Sequence, residues 1–215
     1  MYWQKKPPKN IFASSNAPLF RFLGNYGFNF RKKKILEIGF FCGSDLIEFL
    51  KRGSNVYGLE INKFFVKKFK KIIGKNKIEH FDGSKHKIPF KIKFDLIFSN
   101  DFINYLNCGQ IEDHVKNLYE KLKPTGLTLV AFLEEELKKT KKSNNSGITI
   151  NNKKNYYNKS KFTPKENPVI FHKSINIKNI YKKSGFKLVG KKFVYETFGI
   201  NERLMKKTSY FLFKK

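Results

Sequence analysis

Two acids and two glycines carry the chemistry that can be read from this chain. Glu37 opens the run Glu37-Ile-Gly-Phe-Phe-Cys-Gly43, so that Gly39 and Gly43 follow it at short intervals. Glu60 closes a second apolar segment, Asn55-Val-Tyr-Gly-Leu-Glu60. Glycines let a ligand approach the backbone. A helix starting after Gly43 offers free N–H groups to it. An acid at a strand end accepts hydrogen bonds from both hydroxyls of a ribose. An acid within a buried apolar run costs free energy unless it serves a purpose, which favours a ligand role for Glu37 and Glu60. The pattern is that of a nucleotide-binding half-domain.

The elements that must position these residues alternate along the chain. The spacing predicts strands at about 34–38, 55–60, 77–81, 94–99 and 127–133. Between them it predicts helices at about 44–52, 62–73 and 109–122, the second with Ile61, Phe65, Phe69 and Ile72 on one face. Lys123-Pro-Thr-Gly126 reads as a break between the third of these helices and the last strand. A short helix around Ala17 to Tyr26 precedes them, and a helix at about 174–184 follows. Two β-like segments, about 186–195 and 207–213, close the chain as an antiparallel pair. Strands alternating with helices argue a doubly wound α/β fold. The organisation expected is an N-terminal arm over 1–33 and a ligand-binding core over 34–133. A polar insertion or lid over 134–172 and a completing helix and hairpin over 173–215 follow.

Composition narrows the class. With 215 residues the chain suits one decorated α/β domain. Its purely apolar runs are far short of the roughly 18 residues that span a bilayer. Its first residues are not of signal-peptide type, so a cytoplasmic protein is expected. Cys42 and Cys108, the two cysteines, make neither a disulfide framework nor a zinc site, and no metal is expected. The formal net charge is +28, with 45 Lys+Arg against 17 Asp+Glu. That charge invites a polyanion partner. However, lysine far outnumbers arginine and is spread along the whole chain, whereas nucleic-acid sites favour the planar, bidentate arginine. Composition bias is the preferred account, and nucleic acid is not the favoured partner. His114, on a helix rich in polar neighbours, reads as solvated surface.

Five segments together resemble class I S-adenosylmethionine-dependent methyltransferases of the small-molecule branch. Ile35 to Gly43 is similar to their first motif, an acid before a glycine turn, and Tyr57-Gly-Leu-Glu60 to their second. Phe94 to Leu106 resembles the fourth-strand segment. Leu122-Lys-Pro-Thr-Gly126 resembles the Leu-Lys-Pro-Gly-Gly turn, and His172 to Phe186 the late helix and Gly-Phe step. The resemblance implies a mostly parallel seven-stranded Rossmann-like sheet with an antiparallel C-terminal hairpin, and S-adenosyl-L-methionine as cofactor. It places Gly39, Phe40 and Gly43 at the cofactor's backbone turn and Glu37 under it, toward the ammonium group. Glu60 falls on the ribose, and Ile61 beside the adenine with Asp82 and Gly83 at its edge. Ser99 and Asn100 end the fourth strand, where the family offers carbonyls to the amine. Asp101 and Tyr105 match positions that are often Glu and His in this branch; with His172 they are the candidates for a base. Two positions depart from the family pattern: Phe41 replaces the middle glycine of the first turn and Thr125 a glycine of the later one.

The leading expectation is methyl transfer to a small-molecule acceptor, a metabolite or a glycan precursor. One alternative is an RNA or protein methyltransferase steered by the basic surface. A second, motivated by Phe41, is a non-catalytic cofactor-binding or interaction protein.

Overall fold

The computed structural model describes residues 16–134, 149–150, 156–158, 169–198 and 204–215. Residues 1–15 of the expected arm, and 135–148, 151–155 and 159–168 of the expected insertion, lie outside the described residues.

A seven-stranded sheet organises the chain. Its strands are β1 (Lys34–Ile38), β2 (Asn55–Glu60), β3 (Ile78–His80), β4 (Phe94–Asn100) and β5 (Leu122–Glu134), followed by β9 (Lys187–Phe198) and β10 (Leu204–Lys214). The order across the sheet is β3-β2-β1-β4-β5-β10-β9. The first five strands pair in parallel and the last two join antiparallel. β1 and β4 are buried over nearly their whole length, as parallel strands covered on both faces must be. The chain reverses direction on the sheet after β3, moving from β1 to β4, so the crevice that receives ligands in open α/β sheets opens at the ends of β1 and β4.

Helices cover both faces. α1 (Ala17–Asn25), α2 (Ser44–Lys51) and α3 (Lys63–Ile72) pack on one side, where Leu23, Phe49, Phe65 and Phe69 share a core. α4 (Cys108–Lys121) and α5 (Ser174–Lys183) pack on the other, through Ile111, Val115, Leu118, Ile177 and Tyr181. Local chemistry starts these helices where the site needs them. The Asn62 side chain accepts the Phe64 N–H at the head of α3. Asn107 and Gln110 close a reciprocal capping box at the head of α4.

Three expectations are corrected in detail. α4 does end just before Lys123-Pro-Thr-Gly126, at Lys121, but β5 begins at Leu122 instead of 127 and absorbs the segment, with a register shift against β4 between Phe94 and Leu96. Ile72 does not join the buried face of α3; it is half exposed, and Val66 takes the buried place. Within the insertion, Thr149–Ile150, Tyr156–Asn158 and Val169–Ile170 (β6, β7 and β8) form a separate three-stranded sheet.

Gly43 is the point on which the first turn rests. It caps α2 in the left-handed conformation, at φ +73°, and a Cβ there would fall 1.9 Å from the ring of Phe69. Gly43→Ala should therefore cost about 2–4 kcal/mol, combining left-handed strain of roughly 1–2 kcal/mol with displacement of a core ring. Urea unfolding measures it, and a loss below about 1 kcal/mol would show that the Phe69 side of the core yields freely.

Candidate active site

A cavity of about 590 Å³ opens at the ends of β1, β2 and β4, beside the heads of α2 and α4. Of the residues singled out in the sequence, it brings together Glu37, Gly39, Phe40, Glu60, Ile61, Asp82, Gly83, Asn100, Asp101 and Tyr105. Gly43 lies behind the turn against Phe69, and Ser99 is buried within β4 without lining the cavity. His172 is also off the cavity. Its ring Nε2 lies 2.9 Å from the Ile103 carbonyl, and its backbone bridges to the end of β5.

Glu60 organises the turn. One carboxylate oxygen accepts the Phe41 N–H at 2.8 Å and the other accepts the Asn62 N–H at 2.8 Å. The Gly39 N–H donates to the Leu59 carbonyl at 2.8 Å, so the β1 turn is laced to the end of β2 twice. Phe41 takes the left-handed conformation, φ +43°, that the family pattern assigns to glycine. Its ring packs edge-on against Phe65 of α3 at a centroid distance of 5.0 Å. Gly39, at φ +76°, faces Phe102, whose ring also reaches Gly83.

The electrostatics are unusual for so basic a chain. Five carboxylates line the cavity, those of Glu37, Asp45, Glu60, Asp82 and Asp101. Among the described lining residues Lys85 alone is cationic. Burial pushes the Glu37 carboxyl well above its ordinary range, and the Asp45 and Glu60 charges add to the shift. The Leu46 N–H in the first turn of α2 pulls the other way. One Glu37 oxygen, Oε2, is buried with no hydrogen-bond partner. Burial also raises Glu60, against the N–H groups of Asn62, Phe41 and Ile61. Asp82 is the opposite case: burial alone would raise it, but Ser84 and Lys85 hold it below the usual range. Burial, then the neighbouring Asp101 charge, pushes the Tyr105 phenol up, so it stays protonated near neutrality.

Sequence reasoning missed Asp45, Phe102, Gln110 and Asn16 as lining residues. For Asp45 a signal existed, since an acid two residues after the last glycine of the turn must sit in the first helical turn. His114 corrects another expectation. It is not solvated surface but 4% exposed, packed under the Phe102 ring at 5.0 Å between centroids. Burial lowers its pKa to about 4, so the imidazole is neutral.

Comparison with known proteins completes the assignment. Residues 35–126 match the model of a methyltransferase domain. These residues carry the cavity's first, second and fourth strands. Residues 35–126 are thus a methyltransferase domain, and the fold around them is that of S-adenosylmethionine-dependent methyltransferases. An S-adenosylmethionine-dependent methyltransferase from Mesorhizobium loti superposes at a TM-score of 0.67 with 14% identity, over 93% of this chain and 99% of that one. Magnesium protoporphyrin IX methyltransferase from Synechocystis PCC 6803, solved with SAH, gives 0.62 at 12% identity over 92% and 80%. The 1,6-didemethyltoxoflavin-N1-methyltransferase of Burkholderia thailandensis gives 0.63 at 13% identity over 91% and 75%. At these identities the likeness is one of fold. Comparison with curated protein sequences gives no match.

The Synechocystis enzyme has also been solved with bound SAM, the cofactor that the sequence resemblance implies for this chain. The residues present fit it on the structure's own terms: a buried carboxylate oxygen without a partner suits an ammonium group, and an acid-lined cavity suits a ligand bearing a sulfonium charge. No group of three or more metal-ligating side chains occurs among the described residues. No described helix is long and apolar enough to cross a membrane.

Glu37 sets up a testable opposition between stability and binding. Because its folded-state pKa is raised, the folded protein holds a proton that the unfolded chain releases. Stability from this group is therefore present below the ordinary pKa of 4.5 and is lost as pH rises through the raised value. Glu37→Gln should make the ligand-free protein more stable than wild type at neutral pH, by an advantage that grows as pH rises above the ordinary carboxyl range toward the raised value. A gain of about 1 kcal/mol would raise Tm by roughly 2–4 °C. The same variant should bind S-adenosylmethionine more weakly. Denaturant unfolding at several pH values checks the first statement, and an advantage that shrinks with pH would contradict it.

Proposed function

We propose that the enzyme methylates a small-molecule acceptor, at a hydroxyl, carboxyl or amine of a metabolite or glycan precursor, held in the same cavity as the cofactor. The observation that carries this reading is the charge of the cavity, five carboxylates against one lysine among the described lining residues, on a chain of net charge +28. A polyanionic acceptor such as RNA would be drawn to the outer surface and repelled at the site itself. The volume, about 590 Å³, lies within the roughly 300–1,000 Å³ of small-ligand clefts. Two enzymes of the same fold carry small molecules in their names, magnesium protoporphyrin IX and 1,6-didemethyltoxoflavin, which supports a small acceptor here.

In this reading each residue has a defined task. The Glu37 carboxylate takes the cofactor's ammonium group. Glu60, already fixed by two backbone N–H groups, turns its remaining lone pairs to the ribose hydroxyls. Ile61 and Phe40 pack beside the adenine, with Asp82 and Gly83 at its edge. Gly39 gives the backbone room to approach, Gly43 holds the turn behind it, and Ser99 and Asn100 present the end of β4. Once bound, the cofactor supplies a sulfonium methyl that passes to an acceptor lone pair, the C–S electrons remaining on a neutral thioether. The protein's part is mainly to position the acceptor and exclude water. Asp101 and Tyr105 stand at the cavity wall to do so. The protonated Tyr105 phenol donates a hydrogen bond to the acceptor, which leaves Asp101 the better candidate to receive its proton. His172, hydrogen-bonded to Ile103, steadies the segment that carries Tyr105.

Titration calorimetry with S-adenosylmethionine tests the reading. Glu60→Gln should weaken binding by about 1.5–3 kcal/mol, the worth of a charge-assisted hydrogen bond. No heat and no thermal shift for the wild type at millimolar cofactor would sink it.

A further inference from the structure

Asp45 stands outside the tasks just assigned, yet it is one of three carboxylates buried together at the cavity. Glu37, Asp45 and Glu60 are 4%, 6% and 5% exposed, and come from β1, α2 and β2. Their convergence alone would be only an acidic cluster. The second observation is Glu37 Oε2, fully buried, without a hydrogen-bond partner and on a residue that lines the cavity. Asp45 sits in the first turn of α2, where one oxygen, Oδ1, accepts the Asn16 N–H at 2.7 Å. Among the described residues, no lysine, arginine or histidine forms an ion pair or hydrogen bond with any of the three. Three acids buried without a counter-cation among the described residues form an arrangement that a cationic ligand relieves.

We infer that Asp45 makes this site select the sulfonium form of the cofactor over the neutral thioether left after methyl transfer. The inference rests on the cofactor assignment above and adds a task to the same site. Both forms carry the same ammonium and the same carboxylate, so what Glu37 contributes at the ammonium largely cancels between them. They differ by one positive charge, on sulfur. Coulomb attraction falls only as the inverse of distance, and it is strong where the surroundings are buried and poorly screened. Asp45 therefore does not need to touch the sulfur to favour the charged form. The effect helps turnover by exchange. Once the C–S bond breaks and its electron pair stays on sulfur, the attraction disappears and the product is released in favour of fresh donor. Asp45 is a positioning residue in this account, acting through the field it imposes.

The experiment is a pair of calorimetric titrations, S-adenosylmethionine and S-adenosylhomocysteine, on wild type and variants. Asp45→Asn keeps an oxygen for the Asn16 N–H and removes the charge. It should lower the preference for S-adenosylmethionine over S-adenosylhomocysteine roughly tenfold. Asp45→Glu, which keeps the charge, should retain the preference. Asp113→Asn removes the same charge from the exposed face of α4 and should leave it unchanged. Equal weakening of both ligands by Asp45→Asn, or no change in either, overturns the inference while leaving the cofactor assignment intact. A like drop in preference for Asp113→Asn also overturns it, because the effect would then belong to net charge. Failure of wild type to bind either ligand overturns the cofactor assignment instead.

Discussion

The Glu60 carboxylate ties the β1 turn to the end of β2, and the site depends on that tie. The turn contains one non-glycine residue in a left-handed conformation and is capped by a glycine that has no side chain to hold it. The Phe41 N–H bound to Glu60, together with the Gly39 N–H on the Leu59 carbonyl, fixes its backbone above the sheet edge. The second oxygen holds the entry to α3 through Asn62, whose side chain then caps that helix. One buried acid thus sets the spacing between two ligand-facing segments. Each hydrogen bond to a charged acceptor is worth about 1.5–3 kcal/mol, which offsets part of the cost of desolvating the carboxylate.

The same low-dielectric setting makes the acids expensive. Glu37, Asp45 and Glu60 are each pushed upward by burial, and Glu37 further by its two acidic neighbours. A fold selected for stability alone would hold amides or apolar groups there. The helix dipole at the head of α2 and the Leu46 and Asn16 N–H groups moderate the repulsion, but they do not cancel it. The surface lysines do not cancel it either, since solvent screens them within about 8–10 Å. The net charge of the chain and the charge of its cavity are therefore separate quantities with opposite signs.

How far the sequence revealed this follows from which forces act locally. Strand and helix alternation was legible because the apolar periods are strong. β1, β2 and β4 fall within a residue of their expected bounds. Glu37, Gly39 and Glu60 were legible because acids and glycines are rare in buried strands. What escaped depends on neighbours distant in sequence. His114 lies in a polar stretch of helix, and its burial involves Phe102, which packs on it from beyond the end of β4. Asp45 looks like an ordinary first-turn acid until Asn16 and Glu37 close around it. The Lys123-Pro-Thr-Gly126 segment carries breaker residues, yet pairing on both sides of the sheet draws its flanks into one long strand.

Phe41 illustrates the balance at the turn. Its left-handed backbone costs roughly 1–2 kcal/mol relative to the glycine of the family pattern. Its ring, set against Phe65, offsets that cost, since burying much of a phenylalanine contributes about 1.5–3 kcal/mol. The substitution therefore exchanges a flexible turn for a stiffer one braced on α3, with Glu60 bracing it from the other side. A turn fixed at both ends loses little entropy when a ligand arrives. In the proposed reading Phe41, which also lines the cavity, preorganises the turn for the cofactor.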